Sequence, residues 1–366
     1  MSELHRILDL WKRARADGEE VCLATIVAFE GSSYRKPGAR MLMTRSGLRA
    51  GTISGGCLEA EIAKKAWWLT ENGASIQRYS SFFDEDTGVP FGLGCGGTVV
   101  VLLERGVAAE ASLRAVRRCV EERSACAIIS AVSAEAAGIR LVIGEECEIR
   151  YEVQTAGENL HSAACETLRC GASRSVLLNE QEFYAEYLAP PPALFIFGAG
   201  DDAVPLVEFA HALGWHLTVA DGRSQLARPE RFPLADRVFV IRGNLAEDGI
   251  DLGPSDSAVV MTHSFEQDRR LLRELLPRRL AYLGVLGPRL RTERLLSGVE
   301  EEIGLSLAEC LSRLHTPVGL DIGAHNPAVI ALSIAAEIQA VLSGREAAQR
   351  QVQERSTLSM QSALHA

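Results

Sequence analysis

Residues 193–221 read ALFIFGAGDDAVPLVEFAHALGWHLTVAD and predict the fold of the C-terminal region. It contains a short apolar strand, a turn with Gly198 and Gly200 in G-x-G-x-x-A spacing, a helix, and a second strand that ends at Asp221. A strand, a glycine turn, a helix, a strand and an acidic residue about 20 positions later form the dinucleotide-binding fingerprint. The stretch therefore predicts an α/β fold with a Rossmann-like, doubly wound parallel sheet, which we expect to extend over residues 193–343.

The ligand of this region is less well determined than its fold. Asp201 and Asp202 place two negative charges in the turn where a pyrophosphate would bind. Asp221 is positioned to bond a ribose hydroxyl, which favours NAD over NADP, whereas Arg223 could accommodate a 2′-phosphate. NAD is therefore an open alternative as a cofactor.

Three further strands continue the Rossmann-like region toward the C-terminus: RVFV, SAVVMTHS and AYLGVLG. In such a sheet the ligand crevice lies outside the carboxyl ends of the strands. This rule places Asp221, Arg223, His263 and the turn at residues 287–289 around one mouth. His263 ends a strand and is a candidate functional residue. The alternative is that it makes a hydrogen bond, for example to Asp268, that shapes the loop.

Two cysteines set among glycines distinguish the N-terminal part: Cys57 in TISGGCLEAE and Cys95 in FGLGCGGTVVVLLE. Glycines leave a thiol sterically open, and a thiolate is both a nucleophile and a metal ligand. We expect a strand over residues 51–57 that leads through Gly55 and Gly56 into a helix, where the helix dipole favours an anion. The alternative is that the glycines form tight turns and the cysteines are small buried hydrophobes.

The length of 366 residues predicts two domains plus connectors. Residues 1–104 form a small N-terminal α/β domain that contains the glycine-framed cysteines. Residues 105–190 form an intermediate α/β region without a motif, and it ends in the stiff proline run at 190–192. The Rossmann-like domain over 193–343 follows, and residues 344–366 are a polar tail.

Composition excludes several classes of function. A hydrophobic fraction of 47% with 23% charged residues indicates a soluble globular protein, and the net charge of −10 argues against a nucleic-acid partner. No stretch approaches the ~20 apolar residues of a membrane span. The nine cysteines contain no CxxC pair and do not form a disulfide pattern. With no signal peptide at the start, the expected compartment is the reducing cytoplasm.

Seven segments together resemble the XdhC/CoxI family of xanthine dehydrogenase accessory proteins, and the resemblance covers nearly the whole chain, from about residue 15 to residue 343. They are GSSYRKPGARML, TISGGCLEAE, GLGCGGTVVVLLE, FIFGAGDDAVPLVEFAHALGW, MTHSFEQD, YLGVLGPRLRTERLL and PVGLDIGAHNPAVIALSIAAEI. The resemblance implies a small N-terminal domain, a C-terminal Rossmann domain and a homodimer. It also implies a protein that binds molybdenum cofactor, holds it while a cysteine desulfurase supplies the sulfido ligand, and delivers it to the large subunit of a molybdenum hydroxylase. Such a protein is a cofactor-handling chaperone rather than an enzyme.

The same resemblance implies a set of cofactor-binding residues, with Cys57 and Cys95 as the metal ligands. The other members of the set are Gly55, Gly56, Ser32, Ser33, Arg35, Arg40, Gly198, Gly200, Asp221, Arg223, His263 and Asp268. One departure is plain, because the chain reads NPAVIA at residues 326–331 where the family often reads TPEEIA. Any role for an acid at that helix start is therefore in doubt.

The chemistry of molybdenum cofactor, an anionic pterin with a phosphate and a dithiolene, agrees with these residue types. A loop with serine and arginine suits the phosphate, and a soft thiolate suits an exchangeable position on molybdenum or can hold sulfur as a persulfide. Two alternatives from other classes stay open. One is an NAD(P)-dependent oxidoreductase with His263 as the proton donor or base, and the other is a binding module that senses a nucleotide.

Overall fold

The computed structural model describes residues 2–80, 97–153 and 157–345. They belong to two compact units, Met1–Pro191 and Pro192–Ala366, so the boundary falls within the proline run. Among the described residues, every helix is too short or too polar to cross a membrane.

The first half of unit 1 is a five-stranded antiparallel sheet with two helices. Its strand order is β3-β2-β1-β5-β4. The strand expected over residues 51–57 ends at Gly51, because the loop that follows is held by side chains rather than by a neighbouring strand. The elements are α1 (Glu3–Ala16), β1 (Val21–Gly31), β2 (Arg40–Thr44), β3 (Arg49–Gly51), α2 (Cys57–Leu69), β4 (Ser75–Ser80) and β5 (Gly97–Arg105).

The second half of unit 1 repeats this arrangement element by element. It begins with a helix, and its five antiparallel strands have the order β8-β7-β6-β10-β9, with a helix between the third and fourth strands. A single 3-10 turn after its first strand is an addition. The elements are α3 (Gly106–Glu121), β6 (Cys126–Ala131), β7 (Arg140–Ile143), β8 (Ile149–Val153), α4 (Gly157–Cys170), β9 (Arg174–Leu178) and β10 (Gln181–Leu188).

Buried ion pairs join the two halves and occupy matching positions. Arg40 begins β2 and Arg140 begins β7, whereas Glu104 lies on β5 and Glu186 on β10. In each half, the arginine and the glutamate lie on two strands that both pair with the first strand of that half. The first-strand residue opposite the arginine lies two positions after the residue opposite the glutamate. The pairs are exchanged, because Arg40 bonds Glu186 and Arg140 bonds Glu104. The four side chains are at most 6% exposed.

The core of unit 1 follows from the alternation of side chains along each strand. Helices α1 and α3 share one core with the first two strands of both sheets, which includes Trp11, Leu23 and Ile128. Helix α2 covers the other face of the first sheet through Ile62, and α4 covers the other face of the second sheet through Ala164. Each sheet is therefore buried on both faces.

Unit 2 has the predicted Rossmann-like fold. Its five strands are all parallel, in the order β13-β12-β11-β14-β15. One core packs α5 and α10 on one face, and a second core packs α6, α7 and α8 on the other. The elements are β11 (Ala193–Phe197), α5 (Ala203–Leu213), β12 (His216–Asp221), β13 (Arg237–Val240), β14 (Ser257–Val260), α6 (Phe265–Leu275), β15 (Tyr282–Val285), α7 (Arg289–Leu296), α8 (Val299–Ile303), α9 (Leu307–Ser312) and α10 (Pro327–Leu342).

Helix α10 begins where the chain departs from the usual family sequence. The Asn326 side chain accepts a hydrogen bond from the Val329 amide at 3.0 Å, and Pro327 is the first helical residue. Asparagine at the cap and proline at the first position stabilise a helix start without an acid. The missing glutamates therefore leave this helix intact.

Candidate functional site

The glycine turn of unit 2 brings two backbone segments into contact at the carboxyl edge of the sheet. Gly198 follows β11 with a φ of 132°, and a Cβ atom there would lie 2.3 Å from the Met261 carbonyl oxygen. A Cβ on Gly200 would lie 2.7 Å from a carboxylate oxygen of Asp202. The first glycine is thus needed for the close approach of β11 to the end of β14.

Asp221 ends β12 at this edge, but its carboxylate is used inside the protein. It is fully buried and accepts hydrogen bonds from the Ala199 amide at 2.8 Å and the Arg223 amide at 2.8 Å. The Arg223 guanidinium adds two more, at 3.0 and 2.7 Å. Burial opposes ionisation of Asp221, but these bonds outweigh it and hold its pKa below the usual range. The acceptor positions that a ribose hydroxyl needs are occupied.

His263 lies at the same edge, with a left-handed backbone and an exposed ring. Its φ is 61°, and its Nε2 lies 2.7 Å from a carboxylate oxygen of Asp202. The hydrogen-bond partner suggested by the sequence, Asp268, is wrong: Asp268 is buried and instead bonds Thr262 and, at 2.7 Å, Arg291. A histidine beside a carboxylate is an arrangement that can hold or move a proton.

Charge at this mouth is unfavourable for a dinucleotide. Asp202 lies immediately before α5, where a pyrophosphate would accept backbone N–H bonds, and it faces His263. Asp201 is fully exposed beside it and pairs with Arg231. Two carboxylates at the phosphate position, together with the internally bonded Asp221, oppose the binding of an anionic nucleotide.

In unit 1, the loop before Cys57 forms an open helix start. Cys57 is the first residue of α2, and Gly56 before it has a φ of 120°. Among the described residues, and apart from the immediate chain neighbours, no atom lies within 4 Å of the position that a Cβ would take on Gly55 or Gly56. A large ligand can therefore approach the backbone here, next to the positive end of the α2 dipole.

The buried residues Ser54 and Glu59 hold this loop through hydrogen bonds. The Ser54 hydroxyl bonds the Glu59 carboxylate and accepts hydrogen bonds from the amides of Gly56 and Leu58 at 3.1 and 3.2 Å. The Glu59 carboxylate also accepts from the Ser54 amide at 2.8 Å. Burial opposes ionisation of Glu59, but the bonds from Ser54 outweigh it and lower its pKa. The loop shape is fixed before any ligand arrives.

Glu3 joins the Cys57 loop to the second predicted loop, GSSYRKPGAR. Its carboxylate accepts from the Thr52 amide and hydroxyl, at 2.7 and 2.9 Å, and forms an ion pair with Arg35. In the same loop, the Ser33 hydroxyl donates to the Arg35 carbonyl at 2.7 Å, and the backbone of Ser32 lies close against Gly97. Glu3 thus links Arg35 to Thr52, which lies in the loop before Cys57.

Arg40 is bonded inside the protein. It is 3% exposed, and its guanidinium bonds Glu186 at 2.8 Å and the Gly38 carbonyl at 2.8 Å. A cofactor phosphate could reach this arginine only by breaking a buried ion pair, which is strongly destabilising. The contribution of Arg40 is therefore to hold the two halves of unit 1 together.

Cys95 lies outside the described residues, and three other cysteines are unsuited to thiolate chemistry. Burial raises the pKa of Cys22, Cys119 and Cys126 to about 12. A thiol with such a pKa stays protonated at neutral pH and is a poor nucleophile and metal ligand. Among the described residues, no group of three histidine, cysteine or acidic side chains converges as a metal site.

Sequence reasoning missed Glu3, Ser54, Glu59 and Arg291. Glu59 had a signal, because an acidic residue in the first turn of a helix satisfies free backbone amides. Glu3 had no such signal in the sequence, since it lies 49 residues from Thr52, whose amide it bonds.

Comparison with known proteins agrees with this fold and these motifs. A family model described as the XdhC Rossmann domain matches residues 194–338, and one for the XdhC and CoxI family matches residues 14–80. The chain is 32% identical to a Bacillus subtilis protein described as a probable xanthine dehydrogenase subunit, over 92% of this chain and 97% of that protein. The chain belongs to the XdhC and CoxI family.

Two further relatives of this XdhC and CoxI family member are informative. The molybdenum cofactor insertion chaperone PaoD of Escherichia coli is 25% identical over 93% of this chain and 90% of its own length. A crystal structure described as a xanthine dehydrogenase from Bacillus halodurans has a TM-score of 0.75 and 31% identity, covering 94% of this chain and 97% of that one. These likenesses confirm the predicted α/β fold with its Rossmann-like domain and support an accessory role in xanthine dehydrogenase maturation.

Proposed function

We propose that this protein binds molybdenum cofactor as cargo and delivers it to the large subunit of a molybdenum hydroxylase such as xanthine dehydrogenase. In this proposal a cysteine desulfurase supplies the sulfido ligand while the cofactor is held, and the carrier is a homodimer in the cytoplasm. The name of the PaoD relative supports the choice of cargo. The proposal makes the protein a chaperone for a cofactor, without chemistry of its own on a substrate.

The observation that carries the proposal is the open helix start at Cys57. Among the described residues, the space beside its two glycines is open to a bulky ligand. Glu59, Ser54 and Glu3 keep the loop in place through bonds to its backbone. A preformed loop loses little conformational freedom when it binds. The positive end of α2 favours an anion at this position, which suits both a thiolate and the negatively charged cofactor.

Each neighbouring residue then has a defined part. Cys57 would contact molybdenum, for which a thiolate is a suitable soft ligand. Arg35, which is tied to Glu3 but partly exposed, would meet the cofactor phosphate through charge-assisted hydrogen bonds. Cys95 is proposed as the second ligand. The Rossmann mouth with Asp202 and His263 contributes no contact in this proposal.

The test is co-purification from a host that makes molybdenum cofactor, with bound molybdenum measured by mass spectrometry and bound pterin by fluorescence after oxidation. Cys57→Ala should lower retention at least tenfold, which corresponds to about 1.4 kcal/mol of binding free energy. Cys170→Ala is the matched control, since Cys170 is an exposed thiol at the end of α4. Equal retention by the Cys57 variant and the parent, at equal thermal stability, would contradict the proposal.

A further inference from the structure

A groove of about 760 Å³ opens in the second half of unit 1, and none of the residues of the Cys57 loop lines it. Its walls are α3 and the β7–β8 hairpin, and Arg15 of α1 also lines it. Buried Val142 and Ala115 form part of its lining, together with the half-buried Tyr151. The volume matches that of sites for small organic ligands, which occupy roughly 300–1,000 Å³.

The groove exists because the two hairpins of unit 1 differ. In the first half, Ala50 on β3 pairs with Leu42, and α1 packs directly on β3. At the matching place in the second half, Tyr151 pairs with Val142. A bulky tyrosine thus stands where the first half has an alanine, and its side chain lines the groove together with residues of α3.

A β-bulge in the second hairpin adds a cation. The register passes from Val142–Tyr151 to Ile143–Ile149, so Arg150 is an extra residue without a partner in the register. The corresponding pairs of β2 and β3 run without a gap. Bulges redirect a side chain, and Arg150 lines the groove, where it also bonds Ser124 and Glu148.

Positive charge dominates the lining. Five of the lining side chains are arginines and one is a glutamate, Glu110; the arginines are Arg15, Arg114, Arg117, Arg118 and Arg150. Their local concentration contrasts with the net charge of −10 of the whole chain. An anion entering the groove therefore meets a positive surface on an acidic protein.

The arginines of α3 form only weak ion pairs with neighbouring acidic side chains. Arg114 lies 3.4 Å from Glu110, and Arg117 and Arg118 lie 4.0 and 3.9 Å from acids one turn along the helix. Such exposed pairs contribute little to stability and can be exchanged for a ligand. In addition, Nε of Arg117 and Nη1 of Arg150 are buried without a hydrogen-bond partner among the described residues. Buried donors of this kind call for an acceptor.

We propose that this groove binds an organic phosphate whose phosphate group contacts the arginines and whose planar ring packs on Tyr151 and the apolar lining. Guanidinium groups bond phosphate oxygens in pairs, and an aromatic side chain beside them suits a flat heterocycle. A nucleotide and a phosphorylated pterin share this chemistry. The site is additional to the cargo site proposed at Cys57.

The experiment is isothermal titration calorimetry on the full-length protein with three probes: AMP, 6-hydroxymethylpterin monophosphate and inorganic phosphate. Binding of AMP or the pterin phosphate, tighter than that of inorganic phosphate, is expected. The tighter of the two organic probes identifies the source of the ligand. The double variant Arg114→Gln/Arg117→Gln and the single variant Arg150→Gln should each weaken binding at least tenfold.

The matched control is Arg6→Gln/Arg13→Gln, which removes two exposed charges from α1 outside the groove and should change the dissociation constant less than twofold. Thermal unfolding of each variant checks that the fold is retained. The groove variants should retain molybdenum cofactor in the co-purification assay as the parent does, so failure of the cargo proposal and failure of this one are distinguishable. Absence of binding by all three probes, or equal binding by parent and groove variants, would overturn the proposal.

Discussion

The two halves of residues 1–191 share one order of helices and strands, but they differ where ligands would bind. The first half begins α2 with Cys57 after two open glycines, whereas the second half begins the matching helix α4 with Gly157. The second half instead has a bulge in its β7–β8 hairpin, a tyrosine and a groove lined by arginines. One scaffold thus supports two kinds of surface, because loops and strand edges can change while the buried faces keep the fold.

The buried frame is the part that the halves have in common. Even the hairpin turns match: Gly47 and Cys147 occupy the same position and have φ values of 93° and 62°. Both amides bond the carbonyl three residues earlier. A cysteine with positive φ is uncommon, and here it is retained because the hairpin geometry of the repeat demands it.

The largest expected effect comes from breaking the exchanged ion pairs. Glu186→Ala leaves Arg40 buried without its charged partner, and Glu104→Ala does the same to Arg140. Each should lower the free energy of unfolding by about 3–5 kcal/mol, measured by urea denaturation. If the halves are equivalent, the two losses should agree within about 1 kcal/mol.

The control for this prediction is the double variant Arg40→Met/Glu186→Leu, which removes both charges at once. It should recover most of the stability lost in Glu186→Ala, since a pair of apolar side chains replaces a buried ion pair at little cost. A loss below about 1 kcal/mol in both single variants would show that the pairs do not hold the halves together.

A smaller effect on stability should distinguish the start of α2 from the start of α4 through its dependence on pH. Glu59 has a lowered pKa, so its ionised form adds stability that is fully present above about pH 4.3, its unfolded value, and is lost as the pH falls through the folded value. Glu59→Gln should therefore cost about 1–2 kcal/mol at pH 7, and the difference from the parent should shrink below about pH 4. Urea denaturation at pH 7, 5, 4 and 3.5 measures both.

Glu158→Gln is the matching change in the second half, because Glu158 is an exposed acid in the first turn of α4. It should change stability by less than about 0.5 kcal/mol at every pH. The same cost for both variants at pH 7 would mean that the loop before Cys57 is not specially supported.

The smallest effect on stability is expected at Gly55. Its φ is not in the left-handed region and its Cβ position is open, so Gly55→Ala should change the free energy of unfolding by less than about 0.5 kcal/mol. The added methyl group lies beside the approach to Cys57, and we expect retention of molybdenum cofactor to fall severalfold. Unchanged retention would show that the cargo does not approach this loop closely.

Sequence reasoning succeeded where local pattern decides structure. The Rossmann-like unit follows from residues 193–221 because the glycine turn, the helix and the acidic residue lie within one short segment. The start of α10 was equally readable from Asn326 and Pro327. The placement of Cys57 at a helix start needed only the change from a glycine loop to a helical pattern.

The partners of the site residues could not be predicted in the same way. His263 bonds Asp202, which is 61 positions away, because parallel strands bring their carboxyl ends to one edge. Asp221 was predicted to face a ligand, but its carboxylate accepts hydrogen bonds from Arg223 and Ala199 inside the protein. Such competition between internal and external partners depends on distances that a pattern of residue types does not contain.

Three features of this chain could be read from its residues alone, since each depends on neighbouring positions: the Rossmann-like unit, a cysteine at a helix start after two glycines, and the motifs of its family. The fold was needed to show that residues 105–190, which lack a motif, repeat the first half of unit 1. The fold was also needed to show that Arg40 pairs with Glu186, 146 positions away. Antiparallel sheets are built from non-local pairing, and the same fold tolerates many sequences as long as the buried faces are kept.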